Sequence, residues 1–130
     1  MILFLTASYC GADTASEPSV KLNEISMTDF SDTVKKNAQI KVLDVRTPQE
    51  YMEGHVPGAK LFPLQDLQSQ GASAVEKIPF TKEDTVYVIC RSGGRSKVAT
   101  KILNQLGYSN AINVQGGTAG FISMQNKVEK

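Results

Sequence analysis

The sequence predicts an α/β protein: an open, mainly parallel sheet with helices on both faces. Three observations predict it. Short apolar runs rich in β-branched residues occur at 40–45, 85–89 and 111–114, the composition of strands buried on both faces. Stretches with apolar residues at helical spacing separate them. The joints between the two are short and carry Gly, Pro or Asp, which fits strand–helix alternation in a single layer system. In such sheets ligands sit beyond the carboxyl ends of the strands, so the residues that follow each run are the candidates for function.

The elements follow in order. Residues 22–25 alternate in character and predict a short edge strand. Ser26 caps a helix, with Asp29 as its acidic third residue and Met27, Phe30 and Val34 on one face. After the run at 40–45, Thr47-Pro48-Gln49-Glu50 is a capping box with proline at the first helical position, and Gly54 and Pro57 keep that helix short. Residues 59–62 predict a short strand, 63–70 a helix and 73–77 another turn or two. The run at 85–89 ends in Cys90. Beyond Gly93-Gly94, residues Val98, Ala99, Ile102, Leu103 and Leu106 mark a helix face that Gly107 terminates. The run at 111–114 leads through Gly116-Gly117 into a final helix at 118–125.

A chain of 130 residues accommodates one domain, which we place at 20–130. Residues 1–19 read as a flexible segment: five apolar residues, far too few to cross a membrane, then a stretch rich in Ala, Ser, Thr, Gly and Asp. Two origins stay open for it, the remnant of an export signal or tether, with Cys10 resembling a lipid-anchored cysteine, and an ordinary cytoplasmic N-terminus with an incidental cysteine. With 41% hydrophobic and 21% charged residues, the composition excludes a collagen, a coiled-coil rod and a wholly disordered chain. The formal net charge of +1 gives no global attraction to nucleic acid or to an anionic membrane, so any anion site must be local. Two cysteines and one histidine do not make an ordinary structural zinc site, and no metal or dissociable cofactor is expected. A Cys10–Cys90 disulfide is arithmetically available but would consume a thiol that its own surroundings mark for chemistry.

Those surroundings are Cys90-Arg91-Ser92-Gly93-Gly94-Arg95-Ser96, between the apolar run and the amphipathic helix. Two glycines let backbone amides turn inward into an anion-holding nest. The helix that follows adds its positive end, and Arg91 and Arg95 add full charges. A thiol in that setting should ionise easily and act as a nucleophile. A core cysteine at a strand end is the bland alternative, but it has no use for two arginines and two glycines beside it. The spacing of a Walker phosphate loop is absent, and so is a Cys-x-x-Cys redox pair. His55, in Gly54-His55-Val56-Pro57-Gly58, suggests a turn role rather than a catalytic base. Asp44 and Arg46 should end a strand beside that of Cys90 and act as scaffold near the site, with Asp44 bonding loop groups and Arg46 pairing with Glu50 or Glu53.

Taken together, Leu43-Asp44-Val45-Arg46, Glu50-Tyr51, Gly54-His55-Val56-Pro57-Gly58-Ala59, the loop 90–96, Gly107-Tyr108, Asn113-Val114 and Gly116-Gly117 resemble the ordered signatures of rhodanese-like domains. The resemblance covers residues 20–125. One departure is Phe121, where family members often carry Trp. The resemblance implies a single-domain sulfurtransferase. Cys90 would take a sulfane sulfur from thiosulfate, a polysulfide or a persulfide and pass it to cyanide or to a thiol, a protein thiol included. Arg91 and Arg95 would hold the small anionic donor, and the loop Ser92, Gly93, Gly94 and Ser96 would cradle the sulfur. A sulfur carrier loaded by a protein partner and a non-catalytic rhodanese-like binding module stay open beside this. A cysteine phosphatase fits less well, because only four residues separate Cys90 from Arg95 and the phosphatase loop is one residue longer.

Overall fold

The computed structural model describes residues 22–130. The segment expected at 1–19, with Cys10, lies outside the described residues. The strands are β1 (Glu24–Ile25), β2 (Lys41–Asp44), β3 (Lys60–Leu61), β4 (Val86–Ile89) and β5 (Ala111–Val114), and the helices are α1 (Met27–Lys36), α2 (Pro48–Glu53), α3 (Leu64–Gln70), α4 (Gly94–Gln105) and α5 (Gly117–Ser123). The five strands form one sheet in the order β1-β5-β4-β2-β3. Every pairing in it is parallel. The open α/β sheet that the sequence predicts is therefore the one observed.

Strand parity divides the core. Val86, Val88 and Cys90 of the β4 run face one side, with Leu43 and Val45, and pack against Leu67 of α3 and Ala99 and Leu103 of α4. Val42, Ile89 and Val114 face the other side and pack against Phe30 of α1 and Phe121 of α5. Phe121, the residue at the departure from the family pattern, is 1% exposed and lies tilted against Phe30 with ring centroids 5.9 Å apart. A phenyl ring thus fills the space that this face of the sheet offers.

Local signals explain the element ends. The Ser26 side chain accepts from the Asp29 amide at the start of α1. At α2 the capping box is complete: Thr47 Oγ1 accepts from the Glu50 amide, and Glu50 Oε1 accepts from the Thr47 amide. Three expectations shift. The first strand covers two residues rather than four, because β5 offers it only Asn113 and Val114 as partners. The turns expected at 73–77 are a 3₁₀ helix, Gly71–Glu76, continuous with α3. The last helix stops at Ser123, and Gln125 beyond it has φ 65°, a left-handed conformation that no helix continues through.

Candidate active site

Cys90 follows β4 directly, at the carboxyl edge of the sheet and between β5 and β2. Its side chain is 1% exposed and its thiol is free. The Gly93 amide donates to Sγ at 3.1 Å, and Ser96 Oγ lies 3.3 Å from it. Gly93 has φ 114°, which only glycine adopts without strain, and that turn brings its amide back over the sulfur. Burial pushes the thiol pKa up. Hydrogen bonds from the Ser96 side chain and from the backbone of Ser96, Gly93 and Ser92 outweigh it, so the thiol is held below its ordinary value. The nest expected from the two glycines is therefore what eases ionisation here, through amides and a hydroxyl.

The arginines are deployed differently from each other. Arg91 is exposed and makes no ion pair among the described residues. Arg95 is clamped on Glu50 by two parallel hydrogen bonds, Nη1–Oε1 at 2.7 Å and Nη2–Oε2 at 2.9 Å. That clamp ties α4 to α2 across the mouth of the loop. The Arg95 guanidinium holds the Glu50 carboxyl down to about 2, from an ordinary 4.5. A depressed carboxyl stabilises the fold above its unfolded value and loses that contribution as pH falls through the folded one. Acid titration of thermal stability should therefore show a loss between about pH 4.5 and pH 2 that Glu50→Gln flattens. An equal slope in the two proteins would refute the clamp's contribution.

Asp44 and Arg46 correct an expectation. Asp44 does not reach the loop, and Arg46 pairs with neither Glu50 nor Glu53. The two bind each other, with Arg46 Nε 2.9 Å from Asp44 Oδ1 and Nη2 2.8 Å from Oδ2. Nη2 also donates to the Gly54 carbonyl oxygen at 2.8 Å. Residues two apart at a strand end, both buried, reach each other more cheaply than either reaches the α2 surface, and Glu50 is already taken by Arg95. His55 lies in an isolated antiparallel bridge rather than in a turn, which falls at Pro57 and Gly58. Its Nδ1–H donates to the Tyr51 carbonyl oxygen at 2.9 Å, its ring stacks on Tyr51 at 3.7 Å, and its backbone pairs with Glu129.

Sequence reasoning missed the staple under the loop. The Thr118 amide and hydroxyl both donate to the Cys90 carbonyl oxygen, at 2.8 and 3.2 Å, and the Ala119 amide donates to that of Arg91 at 3.0 Å. Gly117, with φ 60°, lets α5 come this close: a Cβ there would stand 2.3 Å from the Arg91 oxygen and 2.6 Å from the Cys90 oxygen. Gly117→Ala should cost on the order of 2–4 kcal/mol in urea unfolding and displace the loop, because backbone strain and overpacking add. A stable variant with unchanged Cys90 reactivity would contradict this. The Gly-Gly pair was visible in the sequence, but the closeness of two loops distant in the chain was not.

A groove of about 390 Å³ opens beside the loop, lined by Arg46, Glu50, Glu53, Arg91, Thr118 and Ile122 among others. Cys90 itself does not line it.

The family profile of the Rhodanese-like domain matches residues 26–124, most of the chain. The chain belongs to the rhodanese-like domain family. Among its relatives, the thiosulfate sulfurtransferase PspE of Escherichia coli is 39% identical over 57% of this chain and 67% of its own. A Bacillus subtilis protein named for a proposed sulfur-carrier role, YrkF, is 32% identical over 82% of this chain, which spans only 55% of YrkF. The crystal structure of a rhodanese-related protein from Thermoplasma volcanium superposes with TM-score 0.67 at 30% identity, covering 82% of this chain and 97% of that one. The names of these relatives are those of a thiosulfate sulfurtransferase, a proposed sulfur carrier and a rhodanese-related protein.

Proposed function

We propose that this rhodanese-like protein moves a sulfane sulfur from thiosulfate, or a related small anionic donor, to a thiophilic acceptor through a persulfide on Cys90. One observation carries the reading. The Cys90 sulfur sits at the end of a central parallel strand, under the Gly93 amide, with its ionisation favoured by the loop around it. The name of the PspE relative supports thiosulfate as donor, and the exposed Arg91 at the groove supports an anion.

The chemistry balances in two displacements. The Cys90 thiolate attacks the outer sulfur of thiosulfate, a new S–S bond forms, and sulfite leaves with the electron pair of the old one. The persulfide anion then stands where the loop amides can donate to it. Cyanide or a thiolate attacks its outer sulfur, the S–S bond breaks, and the electron pair returns to Cys90. Arg91 draws the donor in. Arg95, occupied by Glu50, holds the loop's shape rather than the donor.

The test is direct. The protein is incubated with thiosulfate and weighed intact without reductant, and cyanide is then added and thiocyanate measured. A one-sulfur adduct that cyanide removes is expected. No adduct with thiosulfate, polysulfide or a protein persulfide would refute the reading and favour a binding module.

A further inference from the structure

Beside the Cys90 loop runs a polar chain to which the mechanism above assigns no role; Glu24 and Asn113, at its outer end, line a second groove with Ser92, Gly93 and Gly94. Strand β5 is apolar except for Asn113, which is 1% exposed. Parity puts Asn113 on the same face as Ala111, Val86, Val88 and Cys90, beneath the start of α4. The β1–β5 register puts Glu24 directly beside it. Asn113 Nδ2 donates to Glu24 Oε2 at 2.8 Å. The Ser96 hydroxyl donates to Asn113 Oδ1, and the Cys90 sulfur is 3.3 Å from that same hydroxyl oxygen.

The direction of these bonds follows from chemistry. An ionised carboxylate only accepts, so Glu24 forces the NH₂ end of the Asn113 amide toward itself. The amide oxygen must then face Ser96. Ser96 has one hydroxyl proton, and a buried amide oxygen that loses its donor is costly. The Gly93 carbonyl oxygen is also in reach of it at 3.2 Å, but Asn113 Oδ1 is the nearer acceptor, so the proton goes to Asn113 and Ser96 turns a lone pair to the sulfur. In this arrangement the S–H of Cys90 is the donor in the last link.

We propose that Glu24 and Asn113 are positioning residues for the Cys90 nucleophile: they hold the Ser96 hydroxyl proton away from the sulfur of the resting thiol and so offset part of the support that the hydroxyl gives the thiolate. The inference rests on Cys90 being the sulfur-accepting residue. Its consequence is selective. In the persulfide Sγ carries no proton and its link to Ser96 is lost, but the negative charge lies on the outer sulfur, so the Ser96–Asn113–Glu24 bonds need not change. Only the free thiolate needs the hydroxyl to turn, which strips Asn113 of its donor. The loop amides support the thiolate, and the Glu24–Asn113 pair opposes it, so the pair favours the loaded enzyme over the empty, ionised one.

The charged groups on the elements around Cys90 are Arg91 on its own loop, Arg95, Lys97 and Lys101 on α4, Lys41 and Asp44 on β2 with Arg46 just beyond it, Glu50 and Glu53 on α2, Asp66 on α3 and Glu24 on β1; α5 carries none. A through-space effect of the Glu24 charge must therefore be separated from the hydrogen-bond effect. Glu24 is exposed, so Glu24→Ala is expected to fold. In the full chain, with Cys10→Ser to leave one thiol, thiolate absorbance is followed against pH. Glu24→Ala should lower the midpoint by about one pH unit, because the freed amide rotates, offers its NH₂ to Ser96 and releases the hydroxyl to the sulfur. In a Ser96→Ala background the same substitution should leave the midpoint unmoved. If Ser96→Ala does not fold, the titration is repeated in 1 M salt, which screens a through-space effect but leaves a hydrogen-bond effect in place.

No shift, an upward shift, an equal shift in both backgrounds, or a shift that salt abolishes overturns the proposal. The readout does not depend on sulfur transfer. A downward shift in a protein that takes up no sulfur would keep the hydrogen-bond device and remove the transfer reading, and an unmoved midpoint in an active protein would do the reverse.

Discussion

Cys90→Ser is expected to abolish the one-sulfur adduct and to lower thiocyanate formation by more than about 10³-fold, the scale on which enzymes lose activity with their nucleophile. A serine hydroxyl does not ionise near neutral pH, and the loop amides that favour a thiolate cannot close that gap. The substitution should barely change stability, since the thiol makes only weak sulfur hydrogen bonds and the oxygen can take the same partners. Intact mass and thermal unfolding measured together separate the two effects. Cys10→Ser should retain full adduct formation. An adduct that survives Cys90→Ser would place the reacting sulfur elsewhere and end the proposed mechanism.

Arg46→Ala is the substitution expected to damage the fold most, by about 3–5 kcal/mol, because it leaves a charge buried without its partner. Asp44 is 0% exposed and receives from Arg46 both the guanidinium bonds and the backbone amide bond, the latter at 3.1 Å. Removing the guanidinium leaves that carboxylate nearly alone at the end of β2 and strips the Gly54 carbonyl oxygen of its donor. For a domain of this size the melting temperature should drop by on the order of 10–20 °C. The double substitution Asp44→Ala with Arg46→Ala should cost much less than the sum of the singles, since neither charge is then stranded. Denaturant unfolding of the four proteins checks this, and additive costs below about 1 kcal/mol each would show that the pair does not anchor the end of β2.

The fold was legible in the sequence because its causes are local. Runs that are apolar on both faces can only be buried strands, and the capping box at Thr47 and Glu50 announces α2 within four residues. The surroundings of the proposed nucleophile were legible for the same reason, since Cys90, Gly93 and Ser96 are neighbours in the chain and their contacts span one turn. Glu50 was visible as a cap but not as the partner of Arg95, 45 residues away. Asn113 stood out only within the Asn113-Val114 signature of the resemblance, and Glu24 carried no signal at all.

By itself, then, the sequence determined the strand–helix order, the loop around Cys90 and the membership in the rhodanese-like family, each through residues close together in the chain. Only the tertiary structure decided which arginine binds which carboxylate, why Gly117 must be glycine, and that Glu24 reaches Cys90 through Asn113 and Ser96. These depend on the register of β1 against β5, the order of strands in the sheet and the approach of α5 to the loop. Long side chains can choose among several partners at similar sequence distance, and it is strand register and packing that leave one of them within reach.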